Sequence, residues 1–115
     1  MAHDPHELLS LSEAELDLRL GDALYADDFG AKPPTDADRR RRAELWFASQ
    51  IGEFRHAVCR QPFVQRYAHN KDAVERELFD AVLSALAALS GIPVPLGVLA
   101  AKIVRFGVTN LCPAE

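Results

Sequence analysis

Alternating runs of Val, Ile and Thr are missing from this chain, as is the regular turn punctuation of a β protein. Cysteine is scarce. Cys59 and Cys112 are two thiols rather than the disulfide framework of a small secreted protein, so a reducing, cytoplasmic setting is expected. Met1 to Ser10 carries Asp4 and Glu7 and has no apolar stretch of the length a secretory signal needs. There is no internal repeat, Ser/Gly linker or low-complexity tail, so one domain over residues 1–115 is expected. A Gly-rich phosphate cradle, G-x-S-x-G, H-E-x-x-H and a dinucleotide fingerprint are all absent. No enzyme activity, cofactor or metal is therefore expected.

What is present is helical in character: Ala, Leu, Arg and Glu, which lose little in a helix, dominate the chain. Asp4-Pro5-His6-Glu7 opens a short helical turn to Leu9. Ser12-Glu13-Ala14-Glu15 is a capping box for a helix over 13–25 with Leu16, Leu20 and Leu24 inward. Gly30 and Pro33-Pro34 mark a loop over 27–35, which Phe29 pins to the core. Thr35 or Asp36 caps a long helix over 36–60, whose stripe Phe47, Ile51, Phe54, Val58 is widened by Leu45, Ala48 and Gly52, with Trp46 at its edge. Pro62 ends this helix and can open a short new one. Asp72 and Glu75 lead a helix over 73–90 with Val74, Leu78 and Val82 inward, closed by Gly91.

The last helix, 95–106, is expected at the centre. Pro95 stands at its first position, Leu96, Leu99, Ile103 and Phe106 form one face, and Gly107 stops it. Lys102 and Arg105 are read as its narrow exposed edge. The fold class is thus all-α, a compact bundle of four main helices plus one or two short ones. Ala81 to Ala101 holds no charge over the length of a bilayer span, but Gly-Ile-Pro-Val-Pro divides it into two helices. No membrane association is expected.

Charge is uneven. Residues 1–38 carry a net −8 and residues 39–115 a net +4, which together give the chain's −4. Arg39, Arg40, Arg41 and Arg42 are the sharpest anomaly, since cations oppose the positive N-terminal end of a helix. At 100° per residue they spread over roughly 300° and cannot make one basic face. With a pI near 5.5, nucleic acid is a secondary reading of this turn. His56 and Cys59, three apart on a helix, permit a thiolate–imidazole pair. Joined by His69 and Cys112, they offer a zinc-like donor set at a spacing that matches no compact zinc motif. Asp27, Asp28, Asp36 and Asp38 offer oxygen ligands without the order of an EF-hand.

The pattern Pro93…Leu99-Ala100…Ile103-Val104-Arg105-Phe106-Gly107…Leu111-Cys112, with a Trp-bearing long helix and Val58-Cys59 before it, resembles small all-helical bacterial proteins. It is also similar to helical adaptor domains associated with effectors in bacterial signalling and defence. It departs from the even helix lengths of death-fold adaptors. The resemblance implies a protein–protein adaptor role and carries over no catalytic residue. The expected function is a non-enzymatic interaction module, with another protein or a second copy as partner. Phe29, Arg39, Arg40, Arg41, Arg42 and Trp46 are the candidate contact residues. The nucleic-acid reading of Arg39–Arg42 and the metal or thiol reading of His56/Cys59 stand as alternatives.

Overall fold

The computed structural model describes residues 5–26, 33–69 and 75–112, and every regular element among them is helical. A 3-10 turn, Pro5–Ser10, precedes α1 (Glu13–Leu24), α2 (Asp36–Val58), α3 (Pro62–His69), α4 (Glu75–Ala87), α5 (Leu96–Phe106) and the short α6 (Val108–Leu111). The all-α bundle expected from composition is the observed fold.

Two helices begin with reciprocal caps that satisfy otherwise orphaned amides. At α1 the Glu15 amide donates to Ser12 Oγ (3.2 Å) and the Ser12 amide to the Glu15 carboxylate (3.4 Å). At α2 the Asp38 amide donates to Thr35 Oγ1 and the Thr35 amide to Asp38 Oδ2, both at 3.1 Å. The acids in these boxes also suit the positive end of the helix dipole.

α5 is the most buried of the longer helices. It packs on α1, α4, α6 and the N-terminal turn, and buries Val98, Leu99, Ala100, Ala101 and Ile103. A large aliphatic side chain withdrawn this way contributes about 1.5–3 kcal/mol relative to exposure. The same core takes Leu16 and Leu20 from α1, Phe47, Phe54 and Val58 from α2, and Leu78, Phe79, Val82 and Leu86 from α4. Phe47 bridges two layers, its ring 5.5 Å from Phe54 and 5.4 Å from Phe106. Arg105 donates to the Leu9 carbonyl at 2.7 Å and so ties the N-terminal turn to α5.

The breaks follow the punctuation. Gly91 has φ 76° and separates α4 from α5, so the long uncharged run is two helices. No helix among the described residues is long and apolar enough to cross a membrane. Gly107, at φ 99° and ψ 120°, ends α5 in a region open to glycine, and its amide donates to the Ile103 carbonyl at 2.9 Å. Pro95 sits one position earlier than expected, as the N-cap of α5.

Four expectations need correction. α2 and α4 stop at Val58 and Ala87, short of 60 and 90. Lys102 is buried: its Nζ lies 3.1 Å from Asp17 Oδ1 on α1, because an acid at that position in α1 meets it inside the bundle. Leu45, Ala48 and Gly52 face solvent, since at 100° per residue Leu45 lies roughly 160° from Phe47. Cys59 and Cys112 are joined in a disulfide, their Cα atoms 5.5 Å apart. The bond fastens α6 to the end of α2, where Arg55 Nε also donates to the Leu111 carbonyl at 2.7 Å.

Gly21 carries a role that sequence spacing does not reveal. A Cβ there would overlap the backbone carbonyl of Arg39, so α1 and α2 approach with backbone nearly touching backbone. This contact sets the start of α2 against the end of α1. Phe29, Asp27, Asp28, Asp72 and Val74, the 73–74 start of the fourth main helix, and the side chain of His69 lie outside the described residues.

Candidate docking site on the outer face of α2

The four arginines diverge as the helical step requires. Arg39 turns towards α1 and pairs with Asp22 there and with Asp36 at 3.0 Å. Arg42 lies over the Tyr25 ring, 4.6 Å from its centroid, a cation–π contact at the C-cap of α1. Arg40 and Arg41 are exposed and form no ion pair among the described residues.

Trp46, half-buried, is held from behind by Phe54, with ring centroids 5.7 Å apart in an edge-on arrangement. Tyr25, Asp38, Arg41, Arg42, Leu45, Trp46 and Ser49 thus line an open groove of about 490 Å³. A second hollow of about 510 Å³ lies on the other side, between Ala37, Arg40, Arg41, Glu44 and Leu45. Arg41 and Leu45, one helical turn apart, border both and form a ridge between them. Leu45 is 64% exposed, the one large apolar side chain so exposed among the described residues.

Further along the same face, Ala48, Ser49 and Gly52 are small and exposed. An added Cβ at Gly52 would meet nothing within 4 Å, so no neighbour in the chain requires a glycine there. The surface is mixed: cationic at the start of α2, apolar at Leu45 and Trp46, low in relief beyond.

Of the expected contact residues, Arg40, Arg41, Arg42 and Trp46 converge on these hollows. Arg39 faces α1 instead, and Phe29 lies outside the described residues. Leu45 and Tyr25 were not singled out by sequence reasoning. The helical step from Phe47 could have shown Leu45 pointing outward, whereas Tyr25 depends on the α1–α2 approach.

The other candidate chemistries take a different form. Cys59 is bonded to Cys112, so no thiolate is available beside His56. His56 instead has Nε2 3.2 Å from the guanidinium of Arg60. Among the described residues no three His, Cys, Asp or Glu side chains are grouped to hold a metal ion. Asp36 and Asp38 are engaged with Arg39 and with the Thr35 cap. Arg55 and Arg60, needed to extend a basic stripe, are turned to the Leu111 carbonyl and to His56.

One buried ionic cluster lies across the α1–α5 interface. The Lys102 ammonium contacts Asp17 and, at 3.8 Å, the more exposed Glu13, and sits 5.4 Å from the Phe47 ring centroid. The Asp17–Lys102 approach has hydrogen-bond length without the direction of a good hydrogen bond. Burial raises the Asp17 carboxyl above its ordinary value of 3.8; Lys102 offsets this only in part, while Glu44 and Glu13 add to the rise. The cluster lies just beneath the surface and has no opening onto either hollow, as none of its residues lines them.

No family model, curated protein or solved structure matches the chain.

Proposed function

We propose that this chain is a non-enzymatic helical interaction module, an adaptor or regulatory element, that receives a partner protein on the Arg41–Leu45 ridge of α2. The observation that supports this reading is the exposure of Leu45, 64%, between two hollows. Leaving a leucine in water forgoes about 1.5–3 kcal/mol of burial, which a docked partner recovers. Arg and Trp beside it are the residue types that most often anchor interfaces. The adaptor resemblance of the sequence points the same way and goes with a bacterial signalling or defence setting.

A cytoplasmic location belongs to the same proposal on one condition. The Cys59–Cys112 bond must resist the reducing pool there, or the chain works with both thiols free. Alkylation of intact cells before lysis distinguishes the two forms by mass.

The direct test compares wild type with Leu45→Glu after chemical crosslinking in the native host. The module reading predicts a discrete crosslinked species, either a heteromer or a dimer, that the variant loses while keeping its helical circular dichroism. An identical pattern for both proteins rules out this face.

A further inference from the structure

The surface at the start of α2 also constrains the chemistry of what docks there. Arg40 and Arg41 are exposed cations with no carboxylate partner among the described residues, and Leu45 lies one turn beyond Arg41. Of the nearby acids, Asp36 and Asp22 pair with Arg39 and Asp38 accepts at the Thr35 cap, while Glu44 lines the same hollow as Arg40 and Arg41. Among the residues that line the two hollows, Arg40, Arg41 and Arg42 outweigh Asp38 and Glu44, which leaves the border of the apolar ridge net positive by one charge. On a chain of net −4 this is a local reversal of sign.

We infer that the occupant is an acidic, amphipathic helical segment of a partner protein. It sets one large apolar side chain beside Leu45 and Trp46 and its carboxylates against Arg40 and Arg41. The inference rests on the proposed docking role of this face. Helix-in-groove recognition seats an apolar side chain of the incoming helix against an apolar surface with charges on its flank, and Leu45 and Trp46 beside Arg40 and Arg41 supply these. The exposed small residues Ala48, Ser49 and Gly52 leave room for a helix backbone to lie close along α2.

Two other occupants fit less well. A nucleic acid needs a longer cationic track, whereas Arg55 and Arg60 are turned to the Leu111 carbonyl and to His56. A two-fold pairing of this face with a second copy doubles the same unpaired arginines instead of neutralising them.

The test uses the full chain and a fluorescent peptide of about five helical turns with Leu on one face and Glu elsewhere. Its counterpart has Lys in place of every Glu, and a short DNA duplex of similar charge serves as a third probe. Fluorescence anisotropy at low salt should show binding of the acidic peptide. Affinity should fall at least about tenfold in Arg40→Glu/Arg41→Glu and in Leu45→Glu. The Lys peptide should bind the double charge variant and not the wild type. Equal affinity of wild type for both peptides, binding of the duplex alone, or no binding of the acidic peptide overturns the inference. So does a dimer that Leu45→Glu abolishes. In each of these cases a Leu45-dependent crosslink in the native host leaves the docking role standing, and its loss removes both.

Discussion

Lys102 Nζ lies 3.1 Å from Asp17 Oδ1, with the two side chains 9% and 7% exposed. The pair joins α5 to α1 beside the Phe47 ring. Desolvating both ions costs several kcal/mol, and their attraction returns that cost only while both are present. Lys102→Met should therefore destabilise by about 3–5 kcal/mol, because Asp17 is then left buried beside Glu13. Asp17→Leu/Lys102→Met should lie much closer to wild type. Urea unfolding of the single and double variants checks this, and equal losses in both would show that the pair is a net stabiliser.

The same carboxyl gives a pH signature. Its folded-state pKa is raised, so the folded protein binds this proton more tightly than the unfolded chain. The stability that this proton confers is full below the ordinary value of 3.8 and is lost as pH rises through the raised value. The stability of wild type minus that of Asp17→Asn should accordingly shrink as pH climbs above 3.8, then level off. Denaturation midpoints over that range read the difference directly. A difference that grows with pH contradicts the dominance of burial over the Lys102 attraction.

The Cys59–Cys112 bond closes a loop with a sequence separation of 53. The chain-entropy relation for such a loop gives about 4 kcal/mol, which native-state strain can reduce. Cys59→Ser/Cys112→Ser should lower the melting temperature, and a reductant should lower that of wild type to the same level. The double variant should be indifferent to reductant. If wild type melts identically with and without reductant, the two thiols are free in solution.

Two glycines on adjacent helices should respond in opposite directions. Gly21→Ala forces a methyl into the Arg39 backbone and should cost about 1–3 kcal/mol despite the better helix former. Gly52→Ala enters open space and should stabilise the isolated chain by about 0.5–1 kcal/mol. Thermal melts of the two variants suffice, and destabilisation by Gly52→Ala would point to a neighbour that the chain itself does not supply.

How legible each feature was in the sequence depends on how far it reaches along the chain. The capping boxes at Ser12 and Thr35 and the stop at Gly107 are local hydrogen-bond patterns, and each appears where residue order places it. Phe47, Phe54 and Val58 face the core as their spacing requires. Spacing alone places Lys102 on an exposed edge, because its counter-ion Asp17 lies on a distant helix. A spacing rule is equally blind to Gly21 against Arg39. The disulfide joins cysteines that share no motif. Leu45 differs from these, since the 100° step from Phe47 already turns it away from the core. The apolar stripe of α2 is narrower than its apolar composition suggests.

A partner docked on the outer face of α2 would lie within reach of Leu45. A photoreactive phenylalanine analogue can be placed at Leu45 and, as a control, at Ala88, exposed beyond the end of α4. Irradiation in the native host, followed by mass spectrometry of adducts, reads each face independently. A docking role predicts one discrete adduct from position 45, mapped to an acidic helical segment, and none from position 88. The same diffuse labelling from both positions would contradict it.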